Sequence, residues 1–201
     1  MGRGDTLTAR RHRTDWEKTL NNNSGRTRYT TTAIVLHWVI AILVFALIGL
    51  GLYMTDIPKG TPDRAWFYNL HKSIGVTTAL LVLVRLWWRA KNPPPSLQAS
   101  MPGWEVKAAN ISHALLYLCL IVMPLSGFAA TQFTKYGVKF FGLFTIPPMG
   151  WEDKTIYDLL QGVHGATAVL LISLVIIHVL AAFKHLLINR NNVFQRMLPG
   201  K

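Results

Sequence analysis

Cysteine and acidic side chains are the scarce materials of this sequence. There is one cysteine, Cys119, in 201 residues. A single cysteine excludes an internal disulfide, a thiolate zinc site and a cysteine-held iron–sulfur cluster, and the covalent haem motif C-x-x-C-H is absent. Asp and Glu number nine against 21 Lys and Arg, for a formal net charge of +12, and charged residues make up 15% of the chain. A soluble domain usually carries about 25%. With 51% hydrophobic residues, a soluble enzyme is excluded. The basic surplus alone raises nucleic acid, but basic clusters interleaved with stacking aromatics on a polar scaffold are missing, so no nucleic-acid partner is expected.

What is present is long apolar runs, roughly residues 31–54, 68–89, 107–131 and 158–188. Each reaches the length of about 20 residues needed to cross a bilayer, and the excess in the last implies tilt or an extension past the membrane. The joins carry turn chemistry: Asp56, Pro58, Gly60 and Pro62, then Pro93, Pro94 and Pro95, then Pro147, Pro148 and Gly150. Residues 1–28 read as a polar, basic and disordered cytoplasmic arm. They do not form a signal peptide, because the following apolar run is too long and no small-residue cleavage site closes it. The expected architecture is all-α, a transmembrane four-helix bundle running up and down, with one domain over residues 29–199.

The basic residues orient it. Fifteen of the 21 fall in the N-terminal arm, the second loop with its flanks (Arg85, Arg89, Lys91, Lys107) and the tail (Lys184, Arg190, Arg196, Lys201). By the positive-inside rule these are cytoplasmic, so both termini lie inside a bacterial inner membrane. Trp38, Trp66, Trp87, Trp88, Trp104 and Trp151 sit at span ends, as an interfacial belt requires.

The polar exceptions inside the spans are mostly histidines: His37, His71, His113, His164, His178 and His185. Ionisable residues within a span are expensive and mark function by default. His164 and His178 are fourteen residues apart, about 40° apart around a helix and about 21 Å along it. His185, seven further on, continues the stripe at about 20° off. Depth then pairs histidines across helices. His71 and His164 share the outer level without a competitor; at the inner level His178 meets either His37 or His113. Paired imidazoles at two levels suit two stacked haems, each iron taking two axial nitrogens. With both axial places filled, dioxygen finds no open site and the iron passes single electrons. Zinc would want more ligands at one level, and a proton relay would want carboxylates within the spans. Gly49, Gly51, Gly75 and Gly165 offer small surfaces against which a flat macrocycle fits, as well as ordinary helix packing. Pro124 is expected to kink the third span, and Cys119 to fill the core.

Five short motifs carry a resemblance: Val35-Leu36-His37-Trp38; Leu70-His71-Lys72-Ser73-Ile74-Gly75 followed by Val84-Arg85-Leu86; Ser112-His113-Ala114-Leu115-Leu116-Tyr117; Val163-His164-Gly165; and Ile177-His178 with His185. In that order and spacing the chain resembles the bacterial cytochrome b561 family, four-helix di-haem membrane proteins related to the cytochrome b subunits of nickel–iron hydrogenases. The likeness spans about residues 29–199, including the tail from Asn191 to Pro199, where the family more often has Lys-Asp than Asn191-Asn192. It implies axial pairs His37 with His178 (inner) and His71 with His164 (outer), two b-type haems per chain and ubiquinone as electron acceptor. His113 and His185 match family histidines that are not axial ligands. With Arg85 and Lys184 they are candidates for propionate or quinone contact, though Arg85 snorkelling to the interface accounts for it equally well. Lys72, Lys135 and Lys139, near the outer level, are candidates for steering an anion.

The function implied is transmembrane electron transfer of the superoxide:ubiquinone oxidoreductase type. The rival within the redox class is a cytochrome b subunit exchanging electrons between the quinone pool and a periplasmic or membrane dehydrogenase. The rival outside it is a transporter or metal-binding membrane protein without haem.

Overall fold

The computed structural model describes residues 28–96, 101–149 and 151–200. All of the expected arm except Arg28 lies outside the described residues. Among the described residues four helices are long and apolar enough to cross a membrane: α1 (Thr31–Asp56), α2 (Pro62–Lys91), α3 (Gly103–Gln132) and α4 (Lys154–Phe183). At 1.5 Å per residue even the shortest, 26 residues, exceeds a hydrocarbon core of about 30 Å. Each helix is longer than its apolar run at one end at least, and side chains cap two of the four at their N-termini. Thr30 caps α1, its hydroxyl accepting from the Ala33 N–H at 3.3 Å, and Asp153 caps α4, accepting from Thr155 and Ile156 at 2.9 and 3.0 Å. Pro62 opens α2, and Pro93, Pro94 and Pro95 follow its end. Helix α3 continues through Pro124.

The helices pack in sequence order, α1 along α2, α2 along α3 and α3 along α4. The central cluster is Ile40, Val44, Val82, Cys119, Leu171 and Leu174, so Cys119 is a buried core residue as expected. Large apolar residues such as Ile42, Leu80, Leu125 and Val169 face outward. That is the pattern of helices solvated by lipid, where apolar surface needs no burial against protein.

The all-α expectation needs one correction. Between α3 and α4 stands an antiparallel hairpin, β1 (Val138–Phe140) with β2 (Phe144–Ile146), pairing Val138 with Ile146 and Phe140 with Phe144. Phe141 and Gly142 occupy its turn with φ of 44° and 76°, the left-handed pair that matches strand twist. A phenylalanine there is disfavoured, and a buried serine helps to hold it: the Ser73 hydroxyl accepts from the Phe141 N–H at 2.8 Å. Lys72 of α2 donates to the Gly137 carbonyl at 3.1 Å, and Val138 is buried. The hairpin is thus tied to the turn of α2 that carries His71.

The opposite end is closed by the tail. After Phe183 the helix widens into a π turn (Lys184–Ile188), and a 3-10 turn (Gln195–Met197) follows. Arg28 donates to the carbonyls of Gln195, Leu198 and Gly200, the Trp38 indole to Met197, and Arg196 to Ser96. The bundle therefore has a hairpin end and a tail end.

Candidate functional site

At the hairpin end, α2 and α4 bring His71 and His164 together with ring centroids 6.3 Å apart and planes at 73°. The His164 Nδ1–H donates to the Met123 carbonyl of α3 at 2.9 Å. That bond fixes the tautomer and leaves Nε2 with its lone pair free. Glycine makes the approach feasible: a Cβ on Gly127 would stand 2.9 Å from His164 Nδ1, and one on Gly51 would stand 3.3 Å from His71 Cε1. A cavity of about 560 Å³ adjoins the pair, with Gly51, Gly75, Gly127 and Gly165 in its wall. His71 Nδ1 is buried with no hydrogen-bond partner in the structure, a cost of roughly 1–3 kcal/mol.

At the tail end, α1 and α4 place His37 and His178 with centroids again 6.3 Å apart and planes at 66°. His113 of α3 comes closer to His178, 5.5 Å at 66°. Both inner alternatives that depth allows are therefore side by side. Among the described residues no three His, Cys, Asp or Glu side chains gather as a metal-binding group; the arrangement is one of pairs.

These pairs fit a six-coordinate iron between facing imidazoles. With a metal–nitrogen bond of about 2 Å on each side and a ring half-width of about 1 Å, two opposed imidazoles have centroids about 6 Å apart. His71 with His164 and His37 with His178, at 6.3 Å, and His113 with His178, at 5.5 Å, all lie near that spacing. The orphaned His71 nitrogen and the glycine-walled cavity beside it fit a flat ligand pressed against helix backbone.

The remaining expected residues are placed as follows. Arg85 donates from Nε to the Tyr117 hydroxyl (3.1 Å) and from NH1 to the Ala33 carbonyl (2.7 Å). It therefore has protein partners on two neighbouring helices. Lys184 pairs with the buried Glu105 at 2.5 Å and lies 5.2 Å from the centre of the Trp104 ring. His185 sits in the π turn, its Nδ1 3.3 and 3.1 Å from the Asn189 and Asn191 side-chain amides; the α-helical stripe of His164 and His178 ends before it. Lys72 is turned to the hairpin, while Lys135 and Lys139 are exposed. Gly49 has open space around it and does not line the cavity. Sequence reasoning missed Gly127, Met123 and Glu105, and met Tyr117 only as the end of a motif, without a role. Gly127 alone had a signal, being a small residue in a span whose partner helix carries a histidine.

Comparison with known proteins places the whole described chain in one family. The family model described as prokaryotic cytochrome b561 matches residues 28–200. Cytochrome b561 homolog 2 of Escherichia coli (strain K12) is 29% identical over 85% of this chain and 91% of its own length. Cytochrome b561 homolog 1 of the same organism is 27% identical over 87% and 98%. A protein of Yersinia pestis named probable superoxide oxidase CybB is 24% identical over 87% and 97%.

Proposed function

The chain belongs to the prokaryotic cytochrome b561 family, membrane proteins that transfer electrons through b-type haem, and from that premise we propose that it carries electrons across the membrane between two haems held by His71–His164 and His37–His178. The carrying observation is the repeated 6.3 Å spacing of the two pairs. On continuous α4 the two levels are about 21 Å apart, so a haem at each would divide the bilayer's thickness between them.

Haem held by these histidines would supply one-electron oxidation and reduction. The chain's own residues do the rest. His164 is held in register by the Met123 carbonyl, so its Nε2 is presented in one orientation. Gly51 and Gly127 admit the imidazoles to their places. Val44, Cys119, Leu171 and Leu174 fill the space between the levels and keep it dry. A low-dielectric interior lowers the cost of rearranging water when charge moves.

In our reading the hairpin end is outermost and both termini are cytoplasmic, supported by the distribution of Lys and Arg. Superoxide as donor is supported by the name of the Yersinia pestis relative and by the exposed Lys135 and Lys139 beside the hairpin, which favour an anion at that end. Ubiquinone in a bacterial inner membrane is the proposed acceptor, at the tail end. The test uses purified protein: reduced-minus-oxidised spectra with haem stoichiometry, then rapid mixing with superoxide and with quinone. Two b-type haems, reduced by superoxide and reoxidised by quinone, are the expected result. Haem that ignores superoxide but takes electrons from quinol transfers the reading to an electron-transfer subunit of a dehydrogenase. Absence of b-type bands removes the haem reading.

A further inference from the structure

The two histidine pairs have the same spacing but not the same charge beside them. At the tail end Arg85 reaches from α2 across to α1 and α3, to the Ala33 carbonyl and the Tyr117 hydroxyl. Ala33 lies one helical turn before His37, and Tyr117 one turn after His113. Arg85 is thus bonded one turn from His37 on α1 and one turn from His113 on α3. Arg85 is within electrostatic reach of His37, His113 and His178, and Arg89 of His113. Arg89 also lies over the Tyr117 ring, at 5.6 Å. At the hairpin end the charged group next to His71 is Lys72, and its ammonium is turned to the Gly137 carbonyl.

A fixed cation favours adding an electron nearby, and it does so more strongly where water is excluded. We propose that Arg85 is a positioning residue that sets the direction of electron flow, giving the group held by His37 and His178 a more positive reduction potential than the group held by His71 and His164. This rests on the haem assignment above. With both groups bound, one electron would leave the hairpin-end group, oxidising it, and enter the tail-end group, reducing it, with no bond made or broken and no proton moved. A donor is thereby required at the hairpin end and an acceptor at the tail end.

The test is an optical redox titration of the full-length, haem-loaded protein. The unaltered chain should titrate in two one-electron steps. Arg85→Gln removes the charge and should lower the more positive step by a tenfold change in its oxidised-to-reduced equilibrium, about 59 mV for one electron, leaving the other step in place. In a His71→Ala background, where one haem remains, Arg85→Gln should lower that single step. Arg85→Lys keeps the charge and should hold the upper step within about threefold, and Lys72→Gln should move neither. The proposal is overturned if Arg85→Gln leaves both steps unmoved or lowers them equally. If Arg85→Gln does not take up haem, Arg85→Lys decides: a tenfold fall despite the retained charge overturns the proposal. Fewer than two haems in the unaltered protein defeats the haem assignment instead, so the two failures are told apart.

Discussion

At the hairpin end His71 and His164 face each other beside a cavity whose wall includes four glycines, while at the tail end His178 faces His37 with a third histidine, an arginine and a tyrosine close by. The spacing is the same and the surroundings are opposite in kind. The hairpin-end pair depends on what is missing from its neighbours, namely Cβ atoms, so steric change there should be decisive. The tail-end pair stands among polar and charged groups, so its chemistry should respond to charge. One bundle thus holds two histidine pairs of equal spacing in different surroundings.

The largest expected effects separate the ends outright. His164→Ala should halve the haem content and spare the tail-end haem, and His37→Ala should do the converse. His113→Ala should retain both, which haem stoichiometry by absorbance checks; loss of one haem in His113→Ala would assign the 5.5 Å pair instead. Next comes Gly127→Ala. Its Cβ would meet His164 at 2.9 Å, an overpacking cost of roughly 1–3 kcal/mol, so hairpin-end haem should be depleted while Gly49→Ala binds normally. Smaller is Ser73→Ala, which removes the acceptor of the Phe141 N–H and should destabilise the hairpin by roughly 1–3 kcal/mol. Faster amide exchange over residues 138–146, without change at the tail end, is the measurement. The smallest is Glu105→Gln. Lys184 is 40% exposed, so solvent screening holds the loss to about 1 kcal/mol or less, read as a slight fall in melting temperature with both haems kept.

Much of this was legible in the chain. The four spans follow from unbroken apolar runs, because a bilayer demands about 20 such residues whatever their neighbours. His164 and His178 fall on one face because fourteen residues nearly complete four helical turns, and α4 is regular across that interval. The stripe stops at His185 because the π turn changes the hydrogen-bond register, which an apolar pattern does not encode. The hairpin escaped notice because its strands are three residues each, too short for alternation to appear. It is held by Ser73, a residue of another helix. Gly127 likewise has meaning only beside His164, which is distant in sequence.

By itself, then, the sequence determined four stretches long and apolar enough to cross a membrane, with histidines at two levels along them, since length, hydropathy and helical period are local properties. Tertiary structure alone decided which rings stand at a ligand-bridging distance, which glycines make way for them and which arginine lies beside one pair. Those depend on how neighbouring helices are rotated and set in depth against each other, and that is decided by packing between residues far apart in the chain.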